Sequence, residues 1–302
     1  MTKKSTHVAI ALIRYKNQIL IGWRDEKLHQ GGCYEFPGGK VEKDETAEQA
    51  VQREVLEEVG IAVAVAQLYH TKHFDYGDKE VFLEFFLCEP TEQAAQQISD
   101  PWQWVSLHQL ASYTFPAANQ SIVERLNWSQ TLAITAYDTN LETQQPKAGM
   151  CYLRKNYQSI EDIQKDLNLL AKHNIKAILN LKYFQQLDQI WQDQIFAIHF
   201  NQQQLIQENW HERYPQHNLI AACHDSQDLQ QAYAQKCSAV FLSPIQATAT
   251  HPEQPALGWE VLEAWCKQTS LPVYALGGMQ LEDLAKVILH GAYGVAGIRA
   301  FF

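Results

Sequence analysis

The stretch that decides the fold of the first part of the chain runs from Gly39 to Ile61 and reads GKVEKDETAEQAVQREVLEEVGI. Four of its apolar residues recur at spacings of three and four, namely Ala47, Ala50, Val51 and Val55. That period predicts an amphipathic helix with one buried face. Thr46 stands where a helix N-cap belongs and Gly60 where a left-handed C-cap belongs, so both ends of the helix are marked.

Three glutamates crowd one face of this predicted helix. Glu54, Glu57 and Glu58 stand at positions i, i+3 and i+4, which are neighbours on a helix surface. Like charges at that spacing repel each other, and an oxygen-only set of this kind suits Mg²⁺ or Mn²⁺. Arg53 can fix one carboxylate through a bidentate pair. We therefore predict a divalent-cation site, with Mg²⁺ as the expected ion and Mn²⁺ as the alternative.

The turn before the helix favours a metal site over a merely solvated glutamate face. Exposed charge by itself needs no special explanation on a protein surface. Here, however, Phe36-Pro37-Gly38-Gly39 precedes the helix, and two glycines let the backbone pass close to the helix start. A backbone carbonyl at this turn can then join the carboxylates as a metal ligand.

Composition restricts the class of protein. The chain has 302 residues, and its 46% hydrophobic and 19% charged fractions are typical of a soluble globular protein with length for two domains. A net charge of -10 and a pI near 5.6 argue against a nucleic-acid polymer as partner. The start, MTKKSTHVAIALI, lacks the long apolar region of a signal peptide, and no segment reaches the length of a membrane span. Six scattered cysteines without a C-x-x-C pair predict reduced thiols and a cytoplasmic location, while the oligomeric state stays open.

The first 128 residues place strand-like segments around the strong helix. The further predicted elements are the strands His7–Arg14, Gln18–Trp23, Val63–Lys72, Glu80–Cys88 and Trp102–Leu107 and the helix Ala118–Leu126. This order predicts an α/β domain with a mixed sheet over residues 1–128. A short junction at Asn127–Gln130 follows.

Residues 131–302 alternate short apolar segments with helical ones. The predicted strands are Leu132–Thr135, Met150–Leu153, Ala177–Leu181, Phe196–Phe200, Leu219–Ala222, Ala239–Leu242, Val273–Leu276 and Gly294–Ile298. The clearest predicted helices are Ser159–Lys172, Ser226–Gln235, Trp259–Thr269 and Leu281–His290. Eight strands with intervening helices predict a parallel (β/α)8 barrel of the TIM type.

On these residues the first domain resembles the MutT-type branch of the Nudix hydrolases. Residues 39–61 fit the family pattern G-x5-E-x7-R-E-U-x-E-E-x-G-U, where U is apolar, at every fixed position. Tyr34–Gly39, Trp104–Leu107 and Phe115–Asn119 add to the resemblance. It implies an α/β/α sandwich whose partner is a small nucleotide. It also implies hydrolysis of oxidised purine nucleoside triphosphates, notably 8-oxo-dGTP, to the monophosphate and pyrophosphate.

The same resemblance implies roles for individual residues. The catalytic set would be Arg53, Glu54, Glu57 and Glu58, with Gly38 joining the three glutamates as a metal ligand through its carbonyl. Enzymes of this branch often supply a further carboxylate from the loop before Trp104. Asp100 is the acid in that loop, and a plain turn residue before proline is an equal interpretation of it.

Substrate contacts are also implied by the resemblance. Arg24 would contact the nucleotide, and Phe36 would line the base pocket. Asn119 would read the purine edge, since its amide offers both a donor and an acceptor. An ordinary helix N-cap is the alternative for Asn119.

The second domain resembles the thiamine phosphate synthase and TenI-like barrels. The segments that carry this resemblance are Ser243–Ile245 with Thr248 and Thr250, Gly258, Leu276–Met279 and Gly291–Ala296. It implies a phosphate site at Gly277 and Gly278, where backbone N–H groups after the seventh strand would bind the anion. An ordinary tight turn is the alternative.

The chain departs from the synthases at the residues that serve their chemistry. Arg154 is kept, whereas Asn156 and His251 stand where lysines are expected. Leu181 and Gln204 stand where the family has metal-binding aspartates. Without these carboxylates the natural Mg²⁺ ligands for a diphosphate are missing, so a phosphate-binding, regulatory or scaffold role is expected for the barrel.

Three functions from different classes are therefore compatible with the sequence. The favoured one is a nucleotide-pool enzyme that hydrolyses 8-oxo-dGTP. The second is a thiamine-pathway transferase whose first domain hydrolyses a related pyrophosphate. The third is a ligand-sensing fusion in which the barrel binds a phosphorylated metabolite. For the first domain, the alternative substrate is another nucleoside diphosphate-linked or thiamine-related pyrophosphate, with the barrel as a phosphate-binding or regulatory domain.

Overall fold

The computed structural model describes residues 4–16, 18–27, 31–75, 79–107, 109–248, 255–269 and 271–302. Thr250 and His251 lie outside the described residues. The chain separates into two compact units, Met1–Asn127 and Trp128–Phe302. Trp128 belongs to the second unit, where its ring packs edge-on against Phe196 with centroids 4.9 Å apart and its carbonyl accepts a hydrogen bond from the Tyr293 hydroxyl.

The first unit contains seven strands and three α-helices in its described part. Its strands are β1 (Lys4–Tyr15), β2 (Gln18–Arg24), β3 (Cys33–Glu35), β4 (Gly38–Lys40), β5 (Val63–Asp75), β6 (Lys79–Pro90) and β7 (Trp102–Ser106). Its helices are α1 (Ala47–Glu58), α2 (Glu92–Ala95) and α3 (Ala117–Leu126), with a 3-10 turn at Leu110–Ser112.

The strands of the first unit form one mixed sheet, as the sequence predicted. Its order is β3-β2-β1-β6-β5, with β4 also paired to β1 and β7 to β2. Strand β1 runs parallel to β6 and antiparallel to β2 and β4. The five strands expected from the sequence are present, while β3 and β4 were not expected. Gly38 and Gly39 were interpreted as part of a turn, but they lie in β4, where Gly38 stands opposite Ile10 and Gly39 opposite Ala9 of β1.

Helix α1 has the ends and the buried face that the sequence predicts. The Thr46 hydroxyl accepts a hydrogen bond from the Gln49 backbone, and the Gln49 side chain returns one to Thr46, which completes a capping box. Gly60 has a φ of +78°, the left-handed conformation of a helix C-cap. Val51 and Val55 are fully buried against the sheet, and each contributes ~1.5–3 kcal/mol of apolar burial.

The second unit alternates strands with helices in its described part. Its strands are β8 (Thr131–Ile134), β9 (Met150–Leu153), β10 (Lys176–Asn180), β11 (Ile195–Phe200), β12 (Asn218–Cys223), β13 (Ala239–Leu242), β14 (Val273–Leu276) and β15 (Gly294–Gly297). Its helices are α4 (Ile160–Lys172), α5 (Leu181–Phe184), α6 (Gln189–Gln192), α7 (Gln202–Leu205), α8 (Trp210–Arg213), α9 (Ser226–Ala234), α10 (Trp259–Gln268) and α11 (Leu284–Leu289). Two 3-10 turns lie at Leu281–Asp283 and Arg299–Phe301.

These strands close into a parallel barrel in the order β10-β11-β12-β13-β14-β15-β8-β9, which confirms the predicted barrel. Aromatic rings fill part of its interior. Tyr152 lies 6.3 Å from Phe241, and Phe241 lies 6.1 Å from Tyr274, measured between ring centroids. Outward-facing residues such as Leu153 and Leu179 are fully buried in the layer shared with the helices. Inward and outward side chains therefore alternate along the strands, as in other filled barrels.

The six cysteines are all free thiols, and five of them are buried. Burial raises the pKa of the Cys88 thiol to about 12. A thiol in this state is protonated and unreactive at neutral pH. Among the described residues, none of the helices combines the length and the apolar character needed to cross a lipid bilayer.

A half-buried histidine, His70, makes the stability of the first unit depend on pH. His70 lies beside Arg125, whose guanidinium nitrogen is 3.0 Å from His70 Nε2. Burial, reinforced by the charges of Arg125 and Lys72, lowers the pKa of His70 from 6.5 to about 3. The unfolded chain therefore takes up a proton below pH 6.5 that the folded chain refuses, so stability falls as the pH drops.

We predict that the free energy of unfolding decreases by up to about 2 kcal/mol between about pH 7 and about pH 5 because of His70. His70→Gln retains an acceptor for Arg125 but cannot titrate, so it should remove this loss. Urea unfolding of the full chain at both pH values measures the effect. His73→Gln, at an exposed position on the same strand, serves as control. Equal pH dependence in wild type and His70→Gln would contradict the prediction.

Candidate active site

The guanidinium of Arg53 connects the acidic groups of the first unit. It forms a bidentate pair with Glu45, at 2.7 Å and 3.2 Å, and it donates to the Lys40 carbonyl at 3.1 Å. The same side chain donates to Glu54 Oε1 at 3.0 Å and to Glu57 Oε2 at 3.2 Å. Glu45 and Glu54 raise the pKa of Arg53, while Arg53 holds the pKa of Glu45 below its usual value. Arg53 therefore offsets the repulsion predicted for the glutamate face.

Glu54 lies directly against strand β4. A Cβ atom added to Gly39 would stand 2.1 Å from Glu54 Oε1 and 2.3 Å from its carboxylate carbon. No side chain larger than hydrogen fits at residue 39 while this carboxylate keeps its place. The Gly39 position of the sequence pattern thus has a steric cause, which is the close approach of the helix carboxylate to the strand.

Glu58 completes the contact between α1 and β4. Its carboxylate accepts a hydrogen bond of 3.0 Å from the Gly38 backbone N–H. Desolvation, together with the negative charges of Glu35 and Glu54, raises the pKa of Glu58 to about 7, although the Gly38 hydrogen bond and Arg24 act in the opposite direction. A raised pKa means that the charged form of Glu58 is disfavoured, and a cation beside the carboxylate would stabilise that charged form.

The backbone of Gly38 faces the glutamates. Ala11 N–H donates to the Pro37 carbonyl, and Val41 N–H donates to the His7 carbonyl. The hydrogen bonds between β1 and the segment 37–41 therefore involve the odd-numbered residues of that segment. Antiparallel pairing then turns the peptide groups of Gly38 away from β1, and its N–H does reach Glu58. Gly38 has a φ of +152° and an added Cβ would stand 2.4 Å from the Ala9 carbonyl oxygen, so glycine is required here.

The oxygen atoms at this site are suitable ligands for a hard divalent cation. They are carboxylate oxygens with one backbone carbonyl at hand, the set that Mg²⁺ prefers. In the part of the chain that the structure describes, no group of three or more His, Cys, Asp or Glu side chains is arranged to hold a metal ion. Glu54 and Glu57 are bonded to Arg53 instead, and Glu58 to Gly38. Metal binding therefore requires these carboxylates to exchange hydrogen bonds for the cation.

Two of the residues predicted to contact the nucleotide, Phe36 and Arg24, each have a close partner. Phe36 is buried, and its ring stacks on Phe115 with centroids 4.9 Å apart and planes 23° apart. Arg24 donates to Glu35 Oε2 at 2.5 Å, and both side chains are about a quarter to a third exposed. Glu35 is the last residue of β3 and directly precedes Phe36, and Arg24 is the last residue of β2, which pairs with β3.

Asn119 is buried in the first turn of α3 and is 8% exposed. The N-cap of this helix is Pro116, so the alternative role of Asn119 as an N-cap is wrong. Among the described residues, no hydrogen bond is made by the Asn119 side-chain amide. Lys72 Nζ donates to the Ala118 carbonyl at 3.1 Å, which ties the backbone before Asn119 to strand β5.

Asp100 lies in the exposed turn before β7. Trp102 N–H closes that turn on the Ser99 carbonyl at 3.0 Å, and the Trp102 indole donates to the Glu58 carbonyl at 2.9 Å. Within the described ranges, no hydrogen bond or ion pair joins Asp100 to the glutamates of α1. Trp102, two residues after Asp100, therefore contacts the last residue of α1. A metal-binding role for Asp100 stays a prediction.

Three residues near the site were not identified from the sequence. Glu35 acts electrostatically on Glu58, Phe115 stacks on Phe36, and Lys72 supports the backbone before Asn119. Glu35 and Phe115 belong to segments that the sequence analysis had already singled out, so their neighbours could have suggested them. Lys72 gave no signal, since its contact joins elements that are far apart in sequence.

In the barrel, Gly277 and Gly278 form the turn after β14. Their φ values of +93° and +70° are left-handed, and Cβ atoms there would stand 2.7 Å from Pro244 and 2.8 Å from Gln246. The Gly277 carbonyl accepts a hydrogen bond from the Gln246 backbone at 3.0 Å. The turn therefore needs both glycines for its conformation and for its packing, whether or not it binds phosphate.

Comparison with known proteins divides the chain in the same way. Residues 8–125 match the NUDIX domain model, and residues 146–301 match that of thiamine monophosphate synthase. The 8-oxo-dGTP diphosphatase of Escherichia coli strain K12 is 37% identical over 125 residues, which are 41% of this chain and 97% of that protein. The 8-oxo-dGTP diphosphatase of Proteus vulgaris is 47% identical over 88 residues, 29% of this chain and 79% of that protein. Putative thiamine-phosphate synthase 2 of Aquifex aeolicus is 44% identical over 71 residues, 23% of this chain and 38% of that protein.

We predict that Gly39→Ala weakens Mn²⁺ binding by about tenfold or more, because the new methyl group displaces the Glu54 carboxylate. Isothermal titration calorimetry on the full chain measures the affinity. Gly60→Ala is the matched control, since a Cβ there meets nothing within 4 Å but the left-handed φ of +78° is strained. Gly60→Ala should lower stability by about 1 kcal/mol with little change in Mn²⁺ affinity. The reverse pattern would contradict the steric role of Gly39.

Proposed function

We propose that this chain, which belongs to the NUDIX domain family over residues 8–125 and to the thiamine monophosphate synthase family over residues 146–301, hydrolyses 8-oxo-dGTP to 8-oxo-dGMP and pyrophosphate. The observation that carries the proposal is the set of carboxylates around Arg53, placed against the Gly38–Gly39 strand. Relatives named 8-oxo-dGTP diphosphatase span almost the whole first domain, which supports the choice of substrate.

Nudix hydrolases generally require a divalent metal ion, and we propose that the ion here is Mg²⁺. Glu54, Glu57, Glu58 and the Gly38 carbonyl would hold it, with Asp100 as a further candidate. When bound, such an ion activates water and offsets negative charge on the phosphate oxygens. The protein residues determine where that chemistry takes place.

Glu54 is the group we assign to orienting or deprotonating the attacking water. It is the half-buried glutamate of the face, and it is fixed from two sides by Arg53 and by the strand at Gly39. Glu57 is 60% exposed, which suits a ligand that turns toward an incoming ion. Arg53 acts as a positioning residue, since its five N–H donors hold the carboxylates in a fixed fork.

Recognition of the oxidised base is assigned to Asn119 with Phe36. An 8-oxo purine carries a donor at N7 where the normal purine has an acceptor. A buried amide can match that changed edge, because it offers both a donor and an acceptor. The stacked Phe36 and Phe115 rings supply a flat apolar wall of the kind that bases pack against. Arg24, held by Glu35, is the proposed contact to the rest of the nucleotide.

The barrel is proposed to bind a phosphate-bearing ligand at the Gly277–Gly278 turn, and it has no proposed role in the hydrolysis. Left-handed glycines at the end of a barrel strand allow an anion to approach backbone N–H groups closely. A small nucleotide as substrate, a cytoplasmic location and the lack of nucleic-acid or membrane partners stay predictions.

We predict that Glu54→Gln lowers kcat for Mg²⁺-dependent hydrolysis of 8-oxo-dGTP by at least about a hundredfold, because the amide cannot accept a proton from water. Steady-state release of pyrophosphate measures the rate. Glu48→Gln, in the exposed first turn of the same helix, should leave the rate unchanged. A Glu54→Gln enzyme with near wild-type kcat would show that another group activates the water.

We predict that Asn119→Ala reduces the preference for 8-oxo-dGTP over dGTP by about tenfold, since a hydrogen bond to the altered base edge is lost. The ratio of kcat/KM values for the two nucleotides measures the preference. Gln120→Ala, an exposed neighbour on the same helix, is the control and should not change the ratio. If the wild type itself handled dGTP as well as 8-oxo-dGTP, the substrate assignment would fail.

A further inference from the structure

The mouth of the barrel contains a pair of amides, and one of them, Gln204, stands where the resemblance to the synthases implies a carboxylate. Asn180 ends β10, and Gln204 lies in α7 just after β11. The two side chains bond reciprocally: Asn180 Nδ2 donates to Gln204 Oε1 at 3.1 Å, and Gln204 Nε2 donates to Asn180 Oδ1 at 3.1 Å. Both residues lie at the carboxyl ends of strands, where barrels of this type bind their ligands.

The oxygen atoms of this pair have no lone pair left for a metal ion. Asn180 Oδ1 also accepts from the Lys182 backbone N–H at 3.0 Å, and Gln204 Oε1 also accepts from the Asn201 N–H at 3.0 Å. An amide oxygen has two lone pairs, and here each oxygen accepts two hydrogen bonds. Leu181 is 3% exposed and packs into the core at the start of α5. The residues present therefore do not fit the divalent cation that the synthase family implies.

One donor atom of a charged group at the same mouth, Nε of Arg154, lacks an acceptor among the described residues. Arg154 follows β9, and its backbone N–H is fixed by the Thr135 hydroxyl at 2.8 Å. Its Nε atom is buried and has no hydrogen-bond partner among the described residues. A buried donor without a partner destabilises the fold, and more strongly so when it is charged. An anionic ligand would supply the missing acceptor.

An aromatic ring and a neutral histidine lie close to Arg154. Its guanidinium lies 5.2 Å from the ring centre of Tyr137, which is 64% exposed. His199 lies deeper, with its ring 4.3 Å from that of Tyr152. Burial and the nearby Arg154 charge lower the pKa of His199 to about 3, so this ring is neutral near pH 7. Arg154 therefore provides positive charge close to a neutral imidazole and an aromatic ring.

From this arrangement we propose that the barrel mouth binds a small oxyanion through Arg154 without a divalent metal ion. The expected ligand is a small molecule that carries one phosphate or another single oxyanion group. A diphosphate chelated to a metal ion is not expected to bind there. Of the two positions where the resemblance implies metal-binding aspartates, one is Gln204, whose amide is held by Asn180, and the other is the buried Leu181. The proposal does not depend on the hydrolysis assigned to the first domain.

The test is calorimetric titration of the full chain with inorganic phosphate and with inorganic pyrophosphate, each in EDTA and in Mg²⁺. We expect phosphate to bind equally well with and without Mg²⁺, and Arg154→Gln to weaken that binding by at least about tenfold. Arg154→Lys keeps the charge and should retain part of the affinity. Arg213→Gln removes an exposed arginine of the same unit, paired with Glu208, and should have no effect.

The first domain can itself bind pyrophosphate when Mg²⁺ is present, so the barrel contribution is the difference between wild type and Arg154→Gln. A difference that appears only with Mg²⁺ would overturn the proposal, as would equal binding in both proteins. Circular dichroism establishes that the variants are folded. Hydrolysis of 8-oxo-dGTP, measured on the same samples, separates a failure of this proposal from a failure of the proposed function.

Discussion

The guanidinium of Arg53 is the group on which the acidic site of the first domain depends. Three glutamates on one helix face repel one another, and a fourth acid, Glu45, lies within reach of the same guanidinium. Arg53 bonds to three of these carboxylates and to the backbone of Lys40, so it neutralises the helix face and attaches it to β4. The cost of concentrating negative charge is thus offset by an internal cation, and the same concentration of charge attracts an external one.

The two glycines of β4 supply the second constraint on the first domain. Gly39 leaves the space that the Glu54 carboxylate fills, and Gly38 offers its peptide group to Glu58. The helix carboxylate can approach β4 this closely because Gly39 carries no Cβ, whereas a Cβ on Gly38 would collide with Ala9 of β1. A pattern that in the sequence consists of separate glycine and glutamate positions is, in space, one contact between complementary surfaces.

The barrel of the second domain retains its architecture with a different set of polar groups at its mouth. Its strands close as the sequence predicts, and its interior is filled by aromatic rings. At the carboxyl ends of the strands, however, two amides bond to each other, and Nε of Arg154 has no acceptor within the part of the chain that the structure describes. Barrel stability depends on the strands and the layers beneath, so the mouth can change its chemistry without loss of the fold.

The sequence by itself determined helix α1 with both its caps, the shared face of Glu54, Glu57 and Glu58, and the eight strands of the barrel. These features follow from local periodicity and capping, which are readable within a few residues. Tertiary structure alone decided that Arg53 takes Glu45 as its bidentate partner, that β3 and β4 are strands, and that Phe36 stacks on Phe115. It also decided that Asn180 and Gln204 saturate each other. Such contacts join residues distant in the chain, and their geometry depends on packing that no local pattern encodes.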